Sequence, residues 1–120
     1  MPKVTIWHNP RCSTSRKTLS LLEQHGLQPT VVDYQKTPPS IDELKSVLKK
    51  LRMKPRELMR KKEPLYKELG LDDESLSDDK LIKAMADNPI LIERPVVFFG
   101  ARAALGRPPE NVLDLFNDLG

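Results

Sequence analysis

Cys12 stands in a loop of cationic, hydroxyl and turn-forming residues, His8-Asn9-Pro10-Arg11-Cys12-Ser13-Thr14-Ser15-Arg16, and the 120-residue chain has no other cysteine. Ahead of it, Val4 to Trp7 is β-branched and aromatic as a strand requires; Asn9-Pro10 marks a turn, and Ser13, Thr14 or Ser15 can each cap a following helix. A thiol at a helix start faces backbone N–H groups without intrahelical partners and the positive end of the helix dipole. Arg11 and Arg16 supply cations, and His8 is a third candidate. These influences favour the thiolate, which is the nucleophilic form; a free thiol titrates near ~8.5 and is largely protonated at neutral pH. The ordinary alternative is a small buried hydrophobe, but such a cysteine belongs in an apolar run and Cys12 lies between Arg11 and Ser13. His8 admits two readings, a partner that tunes the thiol or a surface residue at a strand end.

The surrounding elements are read from periodicity. Ser15 to His25, with Leu19, Leu21 and Leu22, reads as the helix that presents Cys12, stopped by Gly26. Thr30 to Tyr34 reads as a second strand. In this strand-helix-strand unit the cysteine falls at the carboxyl end of the first strand, where open α/β folds place their chemistry. Ser40-Ile41-Asp42-Glu43 is a capping box opening a helix with Leu44, Val47, Leu48 and Leu51 on one face. Pro55 opens a short helix carrying Leu58 and Met59, Pro64 and Gly70 punctuate the next stretch, and Ser77 caps a helix with Leu81, Ile82 and Met85 inward. Val96 to Phe99 is a strand, Gly100 starts a turn and Ala103 to Leu105 pairs back as a hairpin. Pro108-Pro109-Glu110 starts a last helix with Val112, Leu113, Phe116 and Leu119 facing the sheet. The expected fold is α/β: a thioredoxin-like domain over residues 1–120, with a mixed four-stranded sheet and a helical insertion at about 40–88.

Composition sets limits. Twenty Lys and Arg against seventeen Asp and Glu give a net charge of +3, too small to imply nucleic-acid binding on its own. One cysteine excludes an internal disulfide, no apolar run is long enough to cross a bilayer, and Met-Pro-Lys leading into a strand is unlike a signal peptide. A cytoplasmic protein without membrane or nucleic-acid partners is expected.

His8-Asn9-Pro10-Arg11-Cys12 with Thr14-Ser15-Arg16, Pro38-Pro39-Ser40, Leu58-Met59-Arg60, Asn88-Pro89-Ile90-Leu91, Glu93-Arg94-Pro95 and Gly106-Arg107-Pro108 together resemble the glutaredoxin-dependent, ArsC-type arsenate reductases, with their close relatives and the Spx-like regulators. The resemblance implies a nucleophilic Cys12 and three arginines, Arg60, Arg94 and Arg107, that bind an oxyanion. His8, Ser15 and Arg16 are the groups expected to activate the thiol. It further implies a cis bond at Arg94-Pro95 and arsenate or a similar oxyanion as substrate. Glutathione would be the reductant with glutaredoxin as protein partner, and no metal or bound cofactor is expected. Ser13 departs from the plasmid-type reductases, which have Gly after the cysteine.

Each arginine also has a plain reading: Arg60 in a solvated basic run, Lys49 to Lys62, Arg94 in a local ion pair, Arg107 in a loop. Alternatives of other kinds are a Spx-like transcription regulator, a thiol oxidoreductase of the same family acting on another substrate, and a low-molecular-weight phosphatase. The basic run lacks the interleaved aromatics of single-strand binders, and Ser15 occupies the place of a Spx-like second cysteine. The phosphatase loop needs an arginine six residues after the cysteine, where this chain has Thr18.

Overall fold

The computed structural model describes residues 3–119, with side chains described to residue 116. The chain forms two compact units, one from the segments up to Thr37 and from Arg94 onward, the other from Pro38–Glu93.

The first unit holds a four-stranded sheet of β1 (Val4–Trp7), β2 (Thr30–Val32), β3 (Val96–Phe99) and β4 (Arg102–Leu105), in the order β2-β1-β3-β4. β1 runs parallel to β2 and antiparallel to β3, and β3 and β4 form an antiparallel hairpin, so the sheet is mixed as expected. The pleat sends alternate side chains to opposite faces. Val4, Ile6 and Val97 pack with Leu22 of helix α1 (Ser13–Gln24) and with Val112 and Leu115 of the C-terminal segment. Ile6, Leu22, Val97 and Val112 are fully buried, and burial of one such aliphatic side chain stabilises by roughly 1.5–3 kcal/mol. On the opposite face Trp7 meets Phe98 edge-on at 5.2 Å and stacks on Tyr34 at 6.2 Å.

Several boundaries differ from the sequence expectation. Helix α1 begins two residues earlier, at Ser13, and its N-cap is Cys12, not a hydroxyl residue. The buried face of α1 is Ser15, Thr18 and Leu22; the small polar pair hides a helical stripe that apolar periodicity does not register. The helix ends as expected at Gly26, whose φ of +78° allows the N–H groups of Gly26 and Leu27 to close on Glu23 O and Leu22 O, a Schellman cap. β2 stops at Val32 because Asp33 Oδ1 accepts from the Gln35 N–H at 3.1 Å and turns the chain, a competition that Asp wins at strand ends. The last helix, Pro109–Leu119, is a 3₁₀ helix. At three residues per turn the buried pair is Val112 and Leu115, three apart, while Leu113 and Phe116 are half-buried. The side chain of Leu119 lies outside the described residues.

The second unit is helical, comprising α2 (Ile41–Leu51), α3 (Pro55–Leu58), α4 (Pro64–Glu68), α5 (Asp78–Asp87) and a 3₁₀ turn at Pro89–Leu91. The capping box of α2 is formed: Ser40 Oγ accepts from Glu43 N–H and Glu43 Oε1 accepts from Ser40 N–H. Ser77 Oγ caps α5 by accepting from Lys80 N–H. Leu44, Val47, Leu48, Leu81, Ile82 and Met85 are buried. Arg56, which reads as part of a solvated basic run, instead donates to Tyr66 Oη and to the carbonyls of Leu71 and Asp73. It clamps the segment after α4, an element the sequence marked only by punctuation. Among the described residues no helix is long and apolar enough to cross a membrane.

Candidate active site

The loop after β1 is fixed from both sides of Cys12. Asn9 O accepts from Cys12 N–H at 3.0 Å, Asn9 Oδ1 accepts from Arg11 N–H at 3.0 Å, and Cys12 O accepts from Arg16 N–H at 3.0 Å to open helix α1. Ser15 lies fully buried on the first turn. Its hydroxyl accepts from Asn9 N–H at 3.0 Å and meets His8 Nδ1 at 2.7 Å. With one proton to place, the pair is satisfied when Ser15 donates to an unprotonated Nδ1. Ser15 thus pins the strand end, the loop and the helix together, acting as a tie and not as a cap.

Cys12 is half-buried. Burial pushes its thiol pKa up, but the Ser15 N–H, the Arg94 side chain, the Thr14 N–H and the Arg107 charge act the other way and more strongly, so the net shift is downward. The side chain makes no regular helix cap hydrogen bond, but the Ser15 and Thr14 N–H groups at the start of α1 face the sulfur as donors that favour its charged form. Arg107 Nη2 lies 3.6 Å from Sγ, and Arg107 Nε donates to Arg94 O at 2.8 Å. Arg94 is 8% exposed. Two guanidiniums from distant parts of the chain therefore converge on the sulfur, one fixed to the backbone of the other. The peptides Arg94-Pro95 and Arg107-Pro108 are both cis; the sequence resemblance implies only the first.

The expected activating groups divide. Ser15 belongs to the site through its N–H. His8 is not a source of positive charge at neutral pH: burial and the Arg16 charge lower its pKa, against a raising contribution from Asp33, and the net shift is downward from 6.5. Arg16 donates to Pro10 O at 2.8 Å, bracing the loop instead of facing the thiol. Arg60 belongs to the helical unit, where its Nη1 lies 3.4 Å from Glu63 Oε2 and its Nε 3.5 Å from Glu93 Oε1. Its backbone N–H donates to Leu91 O at 2.7 Å beside a bridge between Met59 and Ile92. Two residues to which the sequence reading gave no part in the thiol site are Thr14, read only as a candidate helix cap, whose N–H reaches the thiol, and Gly106. A side chain on Gly106 would collide with Pro95 and Thr18; the glycine before Arg107 was the available signal. Among the described residues no three His, Cys, Asp or Glu side chains gather as metal ligands would.

The ArsC family profile matches residues 7–115. The chain belongs to the ArsC family. Among its ArsC relatives, an uncharacterized protein YfgD from Escherichia coli K12 is 55% identical over 114 residues, 94% of this chain and 96% of that protein. An arsenate reductase from Neisseria meningitidis serogroup B is 52% identical over 113 residues, 93% of this chain and 97% of that protein. The solved structure of an arsenate reductase from Vibrio cholerae superposes with a TM-score of 0.92 at 53% identity, covering 94% of this chain and 97% of that one. The fold is accordingly the thioredoxin-like α/β fold of ArsC proteins, and the relatives support an enzyme.

Proposed function

We propose that this ArsC-family chain is a cytoplasmic arsenate reductase in which Cys12 attacks arsenate and glutathione, with glutaredoxin, completes the reduction. The observation that carries the reading is the sulfur at the N-cap of α1 with Arg107 Nη2 3.6 Å away and its pKa lowered by Arg94 and two backbone N–H groups. An arginine offers a planar fork that grips two oxygens of a tetrahedral anion, and the same charge that holds the thiolate can hold the oxyanion that replaces it. In the first step the thiolate displaces one arsenate oxygen, which leaves as water after protonation, and a Cys12–S–As bond forms. Fixed guanidiniums stabilise the charge as it shifts. Glutathione thiol then attacks the sulfur, the S–As electron pair stays on arsenic, and arsenite departs, leaving Cys12 in a mixed disulfide that glutaredoxin exchanges back to thiol. An external thiol is needed because the chain has a single cysteine. Arg60 enters as a third oxyanion-binding arginine on the family motif.

The test is NADPH oxidation coupled through glutathione reductase, with arsenate, glutathione and glutaredoxin present. Arsenate-dependent oxidation that vanishes in Cys12→Ser is expected; no arsenate dependence in the wild-type protein would remove arsenate as the substrate.

A further inference from the structure

A groove of about 380 Å³ opens beside the Cys12 loop, lined by Asn9, Pro10, Arg11, Asp33, Gln35 and Lys36. It shares a backbone with the nucleophile, since Asn9 O holds the Cys12 N–H and Arg11 immediately precedes it. Its far wall is the turn after β2, where Asp33 Oδ1 accepts from Gln35 N–H at 3.1 Å and Lys36 N–H at 3.4 Å, so that the carboxylate is held in place and not free to swing. Asp33 is half-buried, and Arg11, Gln35 and Lys36 are exposed. The lining therefore offers two cations, one fixed carboxylate and two side-chain amides within a single recess. None of the arginines proposed to hold arsenate, Arg60, Arg94 and Arg107, lines this recess.

We propose that this groove binds the thiol co-substrate, a small peptide thiol of glutathione's chemistry, with Arg11 and Lys36 taking its two carboxylates and Asp33 its ammonium. The exposed Gln35 amide suits the peptide groups between those charges, while Asn9 is buried with its Oδ1 held by the Arg11 N–H. The inference rests on the reading that an external thiol resolves the Cys12 adduct, and it names where that thiol's non-reacting atoms bind. Holding them beside the loop brings the incoming sulfur to the Cys12 sulfur as a positioned reactant. The charge pattern also discriminates: a thiol lacking carboxylates and ammonium gains nothing from the groove.

Thiol–disulfide exchange in the absence of arsenate tests this. The Cys12 thiolate attacks one sulfur of glutathione disulfide, the S–S bond breaks, a Cys12–glutathione disulfide forms and one glutathione thiolate leaves; mass spectrometry follows the rate. The neutral probe is hydroxyethyl disulfide. Lys36→Glu should slow exchange with glutathione disulfide on the order of tenfold, since attraction at an exposed ion pair becomes repulsion, and leave exchange with hydroxyethyl disulfide unchanged. Lys80→Glu, on α5 in the helical unit, makes the same change in net charge and should alter neither rate. An equal effect of Lys36→Glu on both disulfides, no effect on either, or a matching loss in Lys80→Glu would overturn the groove. Titration with S-methylglutathione, which cannot react, should perturb the backbone amide resonances of Asp33 to Lys36 in the wild-type protein and less in Lys36→Glu; perturbations confined elsewhere would overturn it too. Because no arsenate is present, these outcomes are separate from whether arsenate is turned over.

Discussion

Replacing Gly106 with alanine should disturb stability and thiol chemistry together. An alanine Cβ there would stand 2.8 Å from Pro95 Cγ, 2.8 Å from Thr18 Oγ1 and 3.1 Å from Thr18 Cγ2, where carbon contacts settle at ~3.5–4.0 Å. Neither neighbour yields easily: the proline ring is closed, and Thr18 is fully buried with its hydroxyl donating to Thr14 O at 2.9 Å. The relief is a backbone shift of roughly 0.7 Å at Gly106, the shortfall from those contact distances, and Arg107 is the next residue. Overpacking of this kind destabilises by about 1–3 kcal/mol, a fall in Tm of roughly 4–12 °C for a chain of this size. A comparable movement of Arg107 would carry Nη2 away from Sγ, raise the Cys12 pKa and slow alkylation at neutral pH. Thr18→Ala removes two of the three collisions, so the double variant should recover part of the lost stability and most of the thiol reactivity. Thermal unfolding and iodoacetamide kinetics on the three variants measure both. A Gly106→Ala protein with wild-type Tm and wild-type alkylation would refute the packing argument and the link from Gly106 to Arg107.

Arg107→Ala should lower kcat/KM for arsenate by about 2–4 kcal/mol of transition-state stabilisation, and Arg107→Lys should recover little of it because an ammonium lacks the two-point fork; steady-state kinetics decide. Arg52 closes α2 in the left-handed region, φ +57°, so Arg52→Gly should stabilise the protein by roughly 1 kcal/mol in chemical denaturation. Both His8 and Cys12 have folded pKa values below their ordinary ones, 6.5 and 9.0, so the unfolded chain binds more protons in each window. Stability should therefore fall as pH drops below about 9 through the folded pKa of Cys12, and again below about 6.5 through that of His8. Cys12→Ser should flatten the upper slope of unfolding free energy against pH, and His8→Asn the lower; slopes unchanged by these substitutions would count against the shifts.

The features readable in the sequence are those that local chemistry determines. The strand-loop-helix around Cys12, the Ser40 capping box, the Gly26 stop and the β3–β4 hairpin each rest on short-range signals, and each formed. Arg94 and Arg107 were placed by motif resemblance, and the structure brings both to the sulfur. The misses arise where the deciding contact is made by the fold around a residue and not by its immediate neighbours in sequence. Ser15 looked like a cap until His8 and Asn9 claimed its hydroxyl. His8, open in the sequence between a partner of the thiol and a surface residue, is buried against Ser15, and burial and the Arg16 charge depress its pKa. Arg56 looked solvated until carbonyls fifteen and seventeen residues away accepted its protons. The 3₁₀ winding of Pro109–Leu119 differs from an α-helix by a fraction of a residue per turn, and a four-residue apolar set fits both periods.

Whether Cys12 is held as a thiolate by Arg94, Arg107 and the start of α1 is decided by its alkylation rate with iodoacetamide from acid to alkaline pH, in the wild-type protein and in Arg107→Ala. The structure predicts half-maximal reactivity at a pH below that of the same thiol in the unfolded chain, with the midpoint moving up when Arg107 is removed. A wild-type midpoint at the free-thiol value, unmoved by the substitution, would contradict the activated nucleophile on which the proposed reduction depends.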